Sequence, residues 1–512
     1  MSFVLDHLVS LVVFTPLLGM VAVGLIPNDQ KQAIRWTALL ASLIPAGLSI
    51  ALWFNYANSG GGFQFEEQAV WYQAINASYH VGVDGLAAPM ILLTGLLTPL
   101  AILASFSIED RIKPYMMLFL MLETGMFGVF AALDLLIFFL FYEVGLVPMY
   151  FLINQWGGKD RRYASFKFFV YTMAGSLGLL LSIQLIGLSS GTFDIVKLMN
   201  TWPSFNIELL PGVVSIDTIK TVAFFAFCLA FSIKIPLWPF HTWLPDAHTE
   251  APTAGSMILA GVLLKLGAFG FLRLVLPLFP EQAHLYSPVL ATLAVLAIVL
   301  GALAAYGQSD FKRLVAYSSI NHMGFVVLGI AVAAWAAGTS SEAYRQSAAI
   351  AGTGAVLQMF NHGLSAAAMF FLVGVVYERV HTRDLNEIGG GIWQYAPVYG
   401  GILLFSAMSS LGLPGLNGFV SEFAVTRGAW PVFTAITAIS MLGLLFTGAY
   451  ILKAIQKVLH GPKNPKWAGH MPDMSTREIV AVAPLMALML LIGVWPWWLA
   501  EVINEAVKRL IG

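Results

Sequence analysis

Residues 231–245 read FSIKIPLWPFHTWLP, which sets Lys234 and His241 among apolar side chains and interrupts a helical run with Pro236, Pro239 and Pro245. A lysine in hydrocarbon and a helix short of N–H donors are each costly in lipid, so their coincidence marks a place where the helix opens. The rest of the chain fixes the solvent. Of 512 residues, 58% are hydrophobic and 10% charged, against about 25% charged in soluble domains. Apolar runs of about 20 residues, the length that crosses about 30 Å of hydrocarbon, recur throughout. Open sheet edges cannot satisfy their backbone in lipid, so the fold class is an all-α polytopic membrane protein embedded in a lipid bilayer.

The pattern predicts fourteen spans, at 3–26, 34–55, 85–106, 114–133, 134–153, 168–188, 219–243, 252–274, 285–306, 314–334, 351–375, 396–424, 430–452 and 478–498. The first run, starting at Phe3, has no basic flank or small-residue cleavage site and reads as a retained helix. Cytoplasmic loops carry excess Lys and Arg. With both termini outside, the inside loops hold 17 basic residues and the outside segments 7, while Lys234 and Lys265 fall within spans. No low-complexity tail or soluble domain is left over.

Spans seven and twelve are the broken ones, the second at Leu413-Pro-Gly-Leu-Asn-Gly418 just before Glu422. If spans four to eight (114–274) and nine to thirteen (275–452) are two five-helix repeats, each break falls in the fourth helix. An odd helix number also inverts the second copy. Residues 1–113 then hold helices one to three, and 453–512 hold helix fourteen. Interrupted helices at matching positions of inverted repeats point to an ion site near the midplane.

The intramembrane ionisable residues are Glu123, Glu143, Lys234, Lys265, His322, His362 and Glu422. A Lys or Glu among them costs about 2.5–3.5 kcal/mol at a bilayer centre on insertion scales, and such residues call for a polar interior. Glu143 lies five residues before Pro148, whose missing N–H leaves the Val144 carbonyl open; Pro236 and Pro239 similarly leave Ser232 and Ile235. A Glu143–Lys234 pair that approaches and separates switches the lysine between holding and releasing a proton. A static ion pair fixing helix packing is the alternative. Lys265, deep in SMILAGVLLKLGAFGFL, has no acidic residue nearby in sequence, which suits a proton carrier; snorkelling to the surface is the alternative. His322 and His362 occupy successive spans and suit a relay, with core histidines or haem ligands as the alternatives.

His241, Asp246, His248 and Glu250 crowd one proline-broken connection that could suggest a metal site but reads as a polar inlet or structural loop. Glu123 has the least defined role. Cys228 is the single cysteine, so neither iron–sulfur nor zinc spacing exists and it reads as an apolar filler. The net charge of -1 gives no basic patch for nucleic acid.

Four segments, FFLFYEVGLVPMYFLINQWGG, KIPLWPFHTWLPDAHTEAPTAGSMILAGVLLKLGAFGFLR, DFKRLVAYSSINHMGFV and LPGLNGFVSEF, resemble the antiporter-like subunits of respiratory complex I (NADH:quinone oxidoreductase) and of Mrp-type cation/proton antiporters. The resemblance covers spans four to thirteen. It implies fourteen helices with two inverted five-helix repeats, and a subunit of a proton-translocating enzyme. In that family the residue matching Glu143 pairs with that matching Lys234. The one matching Lys265 passes protons onward, and the one matching Glu422 is the outer terminus. The L-like, N-like and Mrp branches tend to carry lysine at this last position, so glutamate argues against them. The L-like branch also tends to end in a long lateral helix, whereas this chain ends at Gly512.

The implied mechanism moves protons from inside to outside through Glu143, Lys234, Lys265, His322, His362 and Glu422. The chain itself would carry no cofactor. FMN, iron–sulfur clusters and the quinone would belong to partner subunits, the neighbours would be L-like and N-like antiporter subunits, and the location would be a bacterial inner membrane. The rival expectation is an Mrp-type Na⁺/H⁺ antiporter subunit.

Overall fold

The computed structural model describes residues 5–57, 61–206 and 215–512. Its main helices are α1 (Leu8–Leu25), α2 (Lys31–Ala57), α3 (Ala87–Ser107), α4 (Ile112–Ala131), α5 (Leu135–Trp156), α6 (Arg161–Ser190), α7 (Ile216–Lys234), α8 (Trp243–Glu250) and α9 (Thr253–Leu278). They continue as α10 (Pro280–Tyr306), α11 (Phe311–Ala336), α12 (Glu342–Val380), α13 (Pro397–Leu411), α14 (Asn417–Ala429), α15 (Thr434–Val458), α16 (Thr476–Val494) and α17 (Trp497–Ile511). Among the described residues 13 helices are long and apolar enough to cross a membrane. The remaining predicted span, 396–424, is divided into α13 and α14. The division is local: Gly412 (φ +83) and Gly415 (φ +93) take left-handed conformations that side chains resist, and Pro414 lies between them.

The other break also falls where the prolines place it. Helix α7 ends at Lys234, and the chain crosses Ile235–Thr242 before α8 begins. One expectation needs correcting here. Pro236 does not leave the Ser232 carbonyl open, because the next available N–H, that of Leu237, donates to it at 2.9 Å. The Trp243 indole closes a second gap by donating to the Ile233 carbonyl at 2.9 Å.

Helix α8 is pinned by charge. Asp246 pairs with Lys167 of α6 at 2.7 Å and Arg313 of α11 at 3.3 Å, and Glu250 accepts from the Asp160 N–H at 2.8 Å. Behind it, α9 and α11 to α12 form the buried centre, while α1, α2, α7 and α10 expose apolar side chains outward. Two π-helical turns, Leu259–Leu263 and Phe271–Val275, bracket Lys265 in α9. Such turns loosen the regular hydrogen-bond ladder and recur at functional positions.

The face opposite the basic loops carries an element missed in the sequence, a hairpin of β1 (Gln64–Tyr72) and β2 (Ala77–Val83). The β-branched and aromatic run Val70-Trp71-Tyr72 was the available signal. Asp134 fastens it: one carboxylate oxygen caps α5 through the Leu136 N–H at 2.9 Å, and the other accepts from the Ser78 N–H at 3.1 Å. Asp84 beyond β2 forms a two-pronged pair with the buried guanidinium of Arg273 in the second π turn. Helix α17 then crosses this face, its Val502 backbone against Gly85, where a Cβ would meet the carbonyl oxygen at 2.5 Å.

His80 in β2 ties the hairpin to the loop after α6. Its Nε2 is 3.1 Å from Glu66, and its Nδ1 makes an ionic approach of 3.4 Å to Asp194, which also pairs with Lys197 at 3.5 Å. Burial pulls the His80 pKa down, but the two carboxylates outweigh it and leave the value above the ordinary 6.5. Burial pushes Asp194 up, yet His80 and Lys197 hold it below the usual carboxylate range. The His80 contribution is therefore complete below its ordinary pKa and lost as pH rises through the raised one. The Asp194 contribution is present above its ordinary pKa and lost as pH falls through the lowered one. Hairpin amides should exchange most slowly with deuterium in mildly acidic medium, after correction for the intrinsic rate. Replacement His80→Phe should remove the alkaline loosening, as read by hydrogen-exchange mass spectrometry of residues 64–83.

Candidate functional site

The two broken helices and the π-turned helix place polar side chains along the middle of the molecule. Lys265 of α9 has 0% exposure, and its depth rules out snorkelling to the surface. Its Nζ donates to the Ala260 carbonyl within the first π turn and to Nδ1 of His362 at 2.8 Å. Because the lysine donates, Nδ1 of a neutral His362 is the bare nitrogen and Nε2 carries the hydrogen. That Nε2 has no hydrogen-bond partner. The contact exists because α9 and α12 approach backbone to backbone, with a Cβ on Gly363 falling 2.9 Å from the Gly261 carbonyl.

The line continues on α11. The His322 and His362 rings are 5.6 Å apart between centroids. Nδ1 of His322 donates to Glu422 at 2.8 Å, and its Nε2 lies 3.2 Å from the Ser410 hydroxyl and 3.3 Å from the Tyr450 hydroxyl. Glu422 also accepts from Gln358 at 2.9 Å. The second helix break supports this end through Asn417, which accepts from Ser409 at 2.5 Å and donates to the Asn361 carbonyl at 3.2 Å. Thus Lys265, His362, His322 and Glu422 are brought together. The sequence did not single out Gln358, Asn361 or Tyr450, because amides and phenols inside helices look like ordinary packing.

The other end is arranged differently. Glu143 accepts from Ser176 of α6 at 2.5 Å, just before α5 loosens at Gly145. Lys234 has 3% exposure, and its ammonium stands over the Tyr142 ring at 4.8 Å, a cation–π contact. Glu143 and Lys234 do not come within 4.0 Å of each other, so no ion pair joins them in this structure. Lys234 and Lys265 are linked through packing instead, since Gly267 of α9 approaches Lys234, and a Cβ there would sit 2.9 Å from that of the lysine.

The connection read as a polar inlet is deeper than its composition suggested. His241 stacks on Trp238 at 4.0 Å, and His248 has 0% exposure with its ring flat against Phe370 at 4.5 Å. Glu123 is fully buried with neither carboxylate oxygen bonded, and nothing in the arrangement assigns it a part. The chemistry available along the line is proton exchange among amines, imidazoles and a carboxylate, with hydroxyls and amides holding their orientation.

A family model described as NADH:quinone oxidoreductase/Mrp antiporter, TM, matches residues 132–448. A curated relative, NADH-quinone oxidoreductase subunit M of Rhodobacter capsulatus, is 40% identical over 513 residues, covering 99% of this chain and 97% of the relative. NADH-ubiquinone oxidoreductase chain 4 of Marchantia polymorpha is 36% identical, covering 98% of this chain and 96% of the relative. A chain of respiratory complex I from Thermus thermophilus with bound NADH superposes with a TM-score of 0.85 at 28% identity, covering 98% of this chain and 100% of that one. A chain of the Mrp complex from Dietzia sp. gives 0.83 at 21% identity, covering 98% of each, and so shares the fold.

The close crossing of α9 and α12 yields a prediction. In Gly363→Ala the added methyl would meet the Gly261 carbonyl and the Leu93 side chain, an overpacking that costs about 1–3 kcal/mol. The helices should separate and lengthen the Lys265–His362 bond. The expected result is a lower thermal midpoint for the purified assembly together with fewer protons moved per electron pair.

Proposed function

The chain belongs to the NADH:quinone oxidoreductase/Mrp antiporter family of membrane subunits, and we propose that it carries the M-type proton path of a complex I-type NADH:quinone oxidoreductase. Family membership and near full-length likeness to relatives named subunit M support this reading. The observation that carries it is the succession of Lys265 bonded to His362, the His362 ring 5.6 Å from that of His322, and His322 bonded to Glu422. Protons taken up at the basic face load Lys234 and Lys265, cross the two histidines and leave by Glu422. Each charge moved outward works against about 2.3 kcal/mol per 100 mV of membrane potential.

The separated Glu143 and Lys234 fit a switch. While Glu143 is bonded to Ser176, Lys234 is balanced only by an aromatic face. If Glu143 swings to Lys234, the ammonium gains a counter-charge and holds its proton; when it swings back, the proton is released toward Lys265. The loosened turn at Gly145 and the end of α7 supply the freedom for that motion. We further propose the inverted repeats 114–274 and 275–452, preceded by 1–113 and followed by 453–512. Both termini lie outside a bacterial inner membrane, and the neighbours are L-like and N-like subunits. FMN, iron–sulfur clusters and quinone are held by partners, so this chain supplies a path and not a redox centre.

A second reading, a Na⁺/H⁺ exchanger of Mrp type, rests on the shared fold, and the carboxylate of Glu422 at the end of the line favours the first. In reconstituted whole complex, Glu143→Gln and Lys234→Ala should lower coupled turnover and proton pumping by roughly a hundredfold. Lys265→Arg should fail equally, since arginine keeps its proton throughout the useful range. Unchanged proton-to-electron ratios in these variants would overturn the assigned roles. Sodium-dependent proton exchange by membranes lacking NADH:quinone activity would move the assignment to the exchanger.

A further inference from the structure

Residues 494–512, VWPWWLAEVINEAVKRLIG, bring three tryptophans to the end of α16 and the start of α17 and then space Leu499, Ile503 and Val507 four apart. The structure buries those three and leaves Glu501, Glu505 and Lys508 exposed. Tryptophans at the end of a span and a helix apolar on one face are what a chain uses to lie along the membrane–water boundary. Helix α17 therefore sits at the level of the lipid head groups, on the face opposite the basic loops. Between it and α2, α3 and α16 lies a cavity of about 770 Å³.

The cavity changes character along its length. Leu488 and Leu491 of α16, Ile50 of α2 and Leu92 of α3 line its inner part, and Ile50 and Leu491 are exposed, so that part is open to hydrocarbon. Leu488, Leu491 and Trp495 recur at helical spacing, which gives a slot about 10 Å deep. Trp53 and Trp498 meet edge to face at 5.5 Å and brace the mouth. Glu501 and Glu505 follow there, one turn apart on α17. Glu501 makes no hydrogen bond or ion pair among the described residues, and Glu505 pairs only with Lys508 at 3.2 Å, both more than half exposed. At the Gly61 edge of the mouth the Arg509 guanidinium packs against the backbone, where a Cβ would lie 3.0 Å from it.

An apolar slot open to the bilayer takes an acyl chain, and the charges at its mouth select what that chain carries. We propose that this cavity is a phospholipid site that holds one acyl chain and prefers a head group ending in a primary ammonium, as in phosphatidylethanolamine. The chain lies along Leu488 and Leu491, the ammonium donates to Glu501 and Glu505, and the phosphate lies on the side of Arg509. A primary ammonium has three N–H donors to divide between two carboxylates. A choline head group carries the same charge without a donor, and a glycerol head group brings net negative charge toward both carboxylates, so each binds less well. The lipid touches no group of the proton relay, so the site stands or falls apart from it.

The test uses the whole complex in vesicles that contain a trace of phosphatidylethanolamine, phosphatidylcholine or phosphatidylglycerol with a photoreactive diazirine in the acyl chain, and maps the cross-links by mass spectrometry. The ethanolamine probe should label residues 50–57 and 488–498 about fivefold more than the glycerol probe, the order of two exposed ion pairs, with the choline probe between them. In the double variant Glu501→Gln, Glu505→Gln the three probes should label these segments equally; both residues are exposed, so the fold is undisturbed. Leu488→Trp should fill the slot and abolish the labelling, while that of the exposed Leu181 and Leu188 of α6 stays unchanged. The glutamine variant decides the matter if Leu488→Trp fails to assemble. Equal labelling by all three probes in the unmodified complex leaves only a boundary lipid and overturns the site, as does a preference that survives both glutamines. Labelling weaker than at α6 means that a neighbouring subunit covers the cavity and overturns it too.

Discussion

The bond from Lys265 to His362 is the contact on which the rest of the interior is organised. The ammonium of Lys265, with 0% exposure, gives its hydrogen bonds to one carbonyl and one imidazole. Everything around it serves to make those two acceptors available. The π turn presents the Ala260 carbonyl, and glycines at 261 and 363 let two helices approach until an imidazole reaches the amine. The same requirement then passes along the chain of acceptors. The His362 ring faces that of His322 across 5.6 Å, and beyond it His322 bonds Glu422 and Glu422 bonds Gln358.

Why the line ends at helix breaks follows from backbone chemistry. An uninterrupted helix uses its own carbonyls and amides and leaves none for side chains. At 412–416 the chain leaves the helix, and Asn417 at the start of α14 bonds Ser409 and the Asn361 backbone. The break is therefore a source of polar surface inside hydrocarbon, bought with glycine and proline. At 235–242 the structure is more economical, since Leu237 and Trp243 recover two carbonyls and leave the end of α7 compact beside Lys234.

Much of this was legible in the sequence because charges in apolar runs are rare and prolines are unambiguous. The spans, both breaks and the residues Lys265, His322, His362 and Glu422 were found that way. What was hidden has common causes. His248 lies in a stretch crowded with Asp246, Glu250 and prolines, which reads as a surface connection, and only the tertiary packing of α8 against α12 buries it. The partnership of Lys265 with His362 joins residues 97 apart, beyond the reach of local spacing. The hairpin at 64–83 was lost because its first strand has no regular apolar alternation, a weak signal beside 20-residue apolar runs.

The two π turns of α9 carry a consequence for how its sequence is to be compared with others. Each widened turn takes up extra backbone, so residues beyond it no longer keep the 100° per residue phase of a regular helix. A helical wheel drawn from Thr253 misplaces Lys265 once, and the residues from Leu276 onward twice. Faces inferred by periodicity alone therefore rotate away from the true ones along this helix. An alignment that inserts or removes one residue here does more than change a length, because it turns the lysine toward a different neighbour.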